Sequence, residues 1–250
     1  MNIKIIDVHA HQGKWFILTH KTGISDILAI MRNYEIEKAV LSSSLAIIND
    51  PEAGNRDLAQ TVKNQPELFA YLMLNPNYMD LSLREMARYL PNEKFVGLKL
   101  YSEGYIAQPL DCAGHYRFLE VLCEKYPNKN VVLFHCWHES VSKLIGLARS
   151  FSGVKFIMGH MGGTEWQEAV HGAAKAENIY LEISSGYPLR SKIEDAVRIA
   201  GANKILYGSD LPLLDPASSL GMLVDAEISA DAKVRILYGN ARNILKLTNP

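Results

Sequence analysis

The sequence predicts an α/β protein, a single-domain (β/α)8 barrel of the TIM type covering residues 1–250. Three observations carry this. Short apolar runs rich in Val, Ile, Leu, Tyr and Phe alternate with helical patterns along the chain, eight runs in all. They are near-continuous, as strands buried on both faces require. The repeat is about 31 residues, and about 250 residues is the norm for a closed eightfold barrel. A doubly wound open sheet would instead need a glycine-rich turn after its first strand, where this chain has His9-Ala10-His11-Gln12-Gly13.

The first strand is expected over 3–11 and the first helix over 25–34. There Ser25 is placed to cap, and Ile27, Ile30 and Met31 recur at helical spacing. Strand two, 38–44, precedes a helix over 55–64, and strand three, 69–75, one over 81–90. Strand four, 95–101, leads to 116–126; strand five, 131–136, to 140–150. Strand six, 155–160, leads to 165–176, and strand seven, 179–184, to 191–200. Strand eight spans 205–210, and one closing helix runs over 231–247. No linker or charge block divides the chain.

Composition excludes several classes. The chain is 48% hydrophobic and 21% charged with a net charge of -1, so it has a core to bury and no basic footprint for nucleic acid or a membrane surface. No apolar run approaches the ~20 residues that span a bilayer. Cys112, Cys123 and Cys136 are scattered and odd in number, which fits reduced thiols in a cytoplasmic protein.

In such a barrel the chemistry sits at the C-terminal strand ends. Strand one ends in Asp7, His9 and His11, which period-two alternation places on one face. Strand four ends in Lys99 and Tyr101, strand five in His135, strand six in His160 and strand eight in Asp210. His9, His11, His135 and Asp210 would form a three-nitrogen, one-oxygen shell for a divalent ion. Asp7 is either an orienting partner for a ligand or a structural acceptor in the barrel floor. The Met161-Gly162-Gly163-Thr164 stretch either offers backbone N–H groups to an anion or, the stronger reading, makes a tight turn. Tyr101, Trp137, His138, Gly162 and Ser185 are the expected substrate-lining residues. Cys136 should face away from His135 and pack. Arg117 reads as a solvated charge and His20 as a surface residue, while His115 and His171 have no phase argument.

Taken in order, five segments resemble the amidohydrolase superfamily. They are Asp7-x-His9-x-His11, Gly97-Leu98-Lys99-Leu100, His135, Gly159-His160-Met161-Gly162-Gly163 and Gly208-Ser209-Asp210-Leu211-Pro212. Within that superfamily the chain is similar to the amidohydrolase-2 group of metal-dependent TIM-barrel hydrolases and decarboxylases. Gly239-Asn240-Ala241-Arg242-Asn243-Ile244-Leu245 resembles its C-terminal helix, so the likeness covers the whole chain. The resemblance implies one metal, zinc by expectation, on His9, His11, His135 and Asp210. His160 is then a second-metal ligand or a free acid/base. Lys99 is an unmodified cation for a substrate carboxylate or carbonyl; a carbamylated Lys99 bridging two metals is the alternative.

Asp210, His160 and Lys99 are therefore the expected catalytic residues. Asp210 would take a proton from an activated water and deliver it to the leaving atom, and the metal or His160 would polarise the carbonyl. The leading expectation is hydrolysis of a C–O or C–N bond in a small carboxylated lactone or amide. Decarboxylation of an aromatic or dienoic acid is the close alternative, and the brief loops weigh slightly against it. A metal-free ligand-binding barrel is a third reading. A TatD-type nuclease is disfavoured, because Lys99 stands where those proteins carry glutamate. The expected partner is a small molecule, and a homodimer is compatible with the fold.

Overall fold

The computed structural model describes residues 4–15, 23–102, 104, 106–137, 140–184 and 188–247. Eight parallel strands run in sequence order around one sheet: β1 (Ile5–Gln12), β2 (Ile36–Ser43), β3 (Leu68–Met73), β4 (Phe95–Leu100), β5 (Val131–Phe134), β6 (Lys155–Met158), β7 (Ile179–Glu182) and β8 (Ile205–Leu206). The seam between last and first strand is closed by the chain just beyond β8. Val8 N–H donates to Tyr207 O (3.1 Å), Asp210 N–H to His9 O (2.8 Å) and His11 N–H to Leu211 O (2.7 Å).

Eleven helices are described: α1 (Ile24–Asn33), α2 (Ser44–Ile48), α3 (Pro51–Lys63), α4 (Met79–Tyr89), α5 (Ala113–Lys125), α6 (Ser140–Ser150), α7 (Trp166–Lys175), α8 (Lys192–Ala200), α9 (Pro216–Asp225), α10 (Ala230–Val234) and α11 (Asn240–Leu245). Each expected strand and each expected major helix is present within a few residues. Two helices were not anticipated. α2 is one short turn, capped where Ser43 Oγ accepts from Ala46 N, and is too brief to show periodicity. α9 begins with Asp215 accepting from Ala217 N, and with Pro216 in its first turn. The expected single closing helix is interrupted by a π-helical turn over Arg235–Gly239. At α1 the capping position is Gly23, and Ser25 lies inside the first turn.

A second correction concerns β1. Asp7 pairs with Ala39, but Ala10 pairs with Leu41, so β1 carries one extra residue in a bulge. Period-two counting from Asp7 to His9 therefore fails. The Asp7 carboxylate instead accepts from His9 N (3.0 Å), Ser209 N (3.1 Å) and Ser209 Oγ, tying β1 to the segment after β8.

The inside of the barrel is filled by Val8, Val40, Phe69, Tyr71, Leu133, Ile157 and Leu206, and Ala241, Ile244 and Leu245 of α11 pack against this plug. The larger cluster, including Leu72, Leu98, Phe118 and Phe134, joins sheet to helices. Burial of these side chains, worth roughly 1.5–3 kcal/mol each, makes the barrel a rigid base for the loops above it. Among the described residues no helix is long and apolar enough to cross a membrane.

Candidate active site

The bulge in β1 and the turn after β8 bring three ligand-type side chains together at the C-terminal mouth. His11 Nε2 lies 3.0 Å, and His9 Nε2 3.5 Å, from Asp210 Oδ1, and the two imidazole centroids are 5.3 Å apart. Asp210 reaches this place from a left-handed backbone conformation, φ 61°, held by its own N–H bond to His9 O. Strain of this sort in a non-glycine residue costs about 1–3 kcal/mol and marks functional sites.

Among the described residues, both nitrogens of His11 and Oδ1 of Asp210 are buried without a hydrogen-bond partner. Although His11 and Asp210 are close, they do not satisfy one another. Buried polar atoms are seldom left so. Convergent lone pairs of nitrogen and oxygen are what a divalent cation uses, so these residues fit one. Their protonation also fits. Burial, the dominant cause, holds His9 well below the usual imidazole value and lowers His11. Burial alone would raise Asp210, but His11, His160 and Lys99 outweigh it and keep the carboxyl below its ordinary value.

The tautomer of His9 follows from its neighbours. Lys99 Nζ is 2.8 Å from His9 Nε2, and an ammonium has donors only, so Nε2 is the acceptor. Nδ1 therefore carries the hydrogen and donates it to Glu182 Oε2 at 2.7 Å. A carboxylate behind a ligating imidazole orients it and raises its basicity. Glu182 ends β7, and no expectation included it. Its one sequence signal is a lone acid closing the apolar run Ile179-Tyr180-Leu181.

His9, His160 and Glu182 form a second ligand-type group. It is already saturated. Oε2 of Glu182 accepts from His9, from Ser184 Oγ (2.8 Å) and from His160 N (3.2 Å), and Oε1 accepts from Ser184 N. The group with orphaned atoms is therefore the better cation site.

His160 sits in the turn Gly159–Glu165 with φ 57°. Its Nδ1 donates to Ser184 O at 3.1 Å, since a carbonyl only accepts. Nε2 is then an acceptor, 3.2 Å from His135 Nδ1, which must donate. This leaves His135 Nε2 with its lone pair, the form a ligand needs. His135, expected as a ligand, is not among the side chains whose ligand atoms converge with His9, His11 and Asp210; it meets His160 edge-on at 4.8 Å and is stacked on Tyr101 (4.6 Å, 11°) and on Trp137 (6.4 Å, 14°). Lys99 Nζ also lies 5.0 Å from the centroid of the Tyr101 ring, within cation–π range. Trp15, not anticipated, meets His11 edge-on at 5.4 Å.

Other expectations fare differently. A side chain at Gly162 would strike Val141 and Ala169, so the missing Cβ serves the packing of α6 and α7. One at Gly163 would strike the Trp137 ring, so the turn seats that indole. Cys136 is buried among core residues, its thiol pushed up to about 12 by burial, as packing requires. Arg117 is exposed and pairs with Glu120 at 3.0 Å. His138, Ser185 and His20 lie outside the described residues.

The amidohydrolase family profile matches residues 6–247. The chain belongs to the amidohydrolase family. No curated protein matches it significantly in sequence. Among solved structures, this amidohydrolase is similar to a dihydroxybenzoic acid decarboxylase from a Polaromonas species with bound manganese and 2-nitroresorcinol. The TM-score is 0.79 at 19% identity, with 98% of this chain and 97% of the other covered. It is also similar to 2,6-dihydroxybenzoate decarboxylase from Rhizobium, with TM-score 0.76, 18% identity, and 98% and 99% covered. A protein named as a candidate 2-pyrone-4,6-dicarboxylic acid hydrolase from Pseudomonas putida gives TM-score 0.74 at 19% identity, with 98% of each chain covered.

Proposed function

We propose that this amidohydrolase is a metal-dependent hydrolase opening a C–O or C–N bond, a lactone or amide, in a small carboxylated molecule. The observation that carries this is the buried convergence of His9, His11 and Asp210 at the barrel mouth, where both His11 nitrogens and Asp210 Oδ1 have no hydrogen-bond partner among the described residues. In this reading His135 would add a fourth donor through Nε2, which keeps its lone pair because Nδ1 donates to His160. What a divalent cation supplies there is a water acidic enough to lose its proton near neutral pH. The nitrogen–oxygen set accepts Zn2+ and Mn2+ alike.

Asp210, kept ionised, would accept a proton from a water held there and return it to the leaving oxygen or nitrogen. His160 in its neutral tautomer can receive a proton at Nε2 but has none there to give. Its part is to orient His135 or to act as a base, and Lys99, with a cation held by His9, His11 and Asp210, would polarise the carbonyl. Lys99, the charged group of β4 at the mouth, supplies the counter-charge for a substrate carboxylate.

A second reading, decarboxylation of an aromatic acid, is favoured by the aromatic stack of Tyr101, His135 and Trp137, which could take a further ring. The decarboxylases among the similar solved structures point the same way. One experiment addresses both readings. The purified protein is analysed for metal, then offered lactones, amides and hydroxybenzoic acids while base consumption and carbon dioxide are measured. Base consumption by a lactone or amide supports the hydrolase. Carbon dioxide release from an acid replaces it with the second reading, and failure to take up any divalent metal overturns both.

A further inference from the structure

Lys99 and the cation compete for the same electrons. A neutral imidazole has one lone pair, and in His9 the Nδ1–H bond to Glu182 places it on Nε2. Lys99 Nζ, wholly buried on β4, holds that lone pair at 2.8 Å. An ion ligated by His9 Nε2 would need the same lone pair. Both cannot be served at once.

We propose that Lys99 and the divalent cation are alternative occupants of the His9 Nε2 lone pair, so that metal binding releases Lys99 towards the substrate. This rests on the metal-site reading above. The lysine stem has four flexible carbons, so the ammonium can swing without moving β4. The Tyr101 ring, 5.0 Å from Nζ, offers it a face on leaving. That face does not replace a charge-assisted hydrogen bond, and a buried ammonium without a full partner is costly. Loading the metal therefore creates a demand for an anion beside the metal, which a substrate carboxylate fills. Lys99 becomes a substrate hook only in the loaded protein, and assembly is ordered, metal before substrate.

The test needs no substrate. Mn2+ binding is titrated by electron paramagnetic resonance of the free ion for the wild type, Lys99→Met and Lys99→Gln, with circular dichroism melts confirming that each is folded. Removing the ammonium frees the lone pair and deletes a like charge, so both variants should bind Mn2+ on the order of tenfold more tightly. A crystal structure of the Mn2+-loaded wild type should show Lys99 Nζ beyond hydrogen-bond reach of His9 Nε2. Unchanged or weaker binding in the variants overturns the proposal, as does a carbamate on Lys99 touching the ion. Should the wild type bind no Mn2+, it is the metal-site reading that falls, and this inference with it. The wild-type structure decides even if a variant does not fold.

Discussion

Glu182 Oε2 receives the Nδ1–H of His9 at 2.7 Å, with both side chains wholly out of solvent. The same oxygen takes the backbone N–H of His160, so one carboxylate anchors a ligand-type imidazole and the turn that carries another. In Glu182→Gln the amide must turn an N–H towards some of these donors. Metal affinity should fall roughly 10–100-fold, as for other groups supporting a metal-bound histidine. Titration calorimetry checks this, and an unchanged dissociation constant would show that His9 needs no such support.

Gly208 makes room for that carboxylate. A Cβ there would fall within the contact shell of Glu182 Oε1. Gly208→Ala should cost about 1–3 kcal/mol in denaturant unfolding. Metal affinity should drop in the same direction as in Glu182→Gln. A stability loss without a change in metal binding would uncouple Glu182 from the site.

Asp210→Asn keeps the shape and one donor oxygen but removes the proton acceptor. Turnover should fall by about 10²–10⁴-fold, while metal content measured by elemental analysis falls less. Full activity in that variant would sink the assignment of Asp210 as base.

His115 supplies an acid-sensitive element away from the mouth. It is buried, Nδ1 donates to Leu110 O at 2.9 Å, and burial lowers its pKa from 6.5 to about 4. The fold thus favours the neutral ring. Its contribution is complete above pH 6.5, where the unfolded ring is also neutral, and is lost as pH falls from 6.5 towards 4. The gap corresponds to about 3 kcal/mol. His115→Gln should therefore lose about 2 kcal/mol less than wild type between pH 7 and pH 4.5 in urea unfolding. Parallel losses in both proteins would contradict this.

The barrel was legible because buried parallel strands demand continuous apolar runs, and eight of them at even spacing leave few alternatives. His9, His11 and Asp210 were legible because polar residues ending such runs have one place to go. Asp7 was misplaced because a bulge changes phase without any mark in the local pattern. Glu182 escaped notice because a single acid at the end of β7 looks like any strand terminus until His9, distant in sequence, is seen behind it. Gly162 carried two readings for a related reason: glycines before a helix suit ligand binding and close packing equally, and only in the fold do Val141 and Ala169 show why no Cβ fits there.

The barrel wall is thinnest where its ends meet. β8 contributes two residues to the ladder, and three backbone hydrogen bonds from the following chain complete the closure. His9 and His11 stand on one lip of that join and Asp210 on the other. An ion shared among them would rivet the first strand to the last, so depleting it should loosen the cylinder along a single line, and amides near Val8 and His11 should be the first to exchange with deuterium.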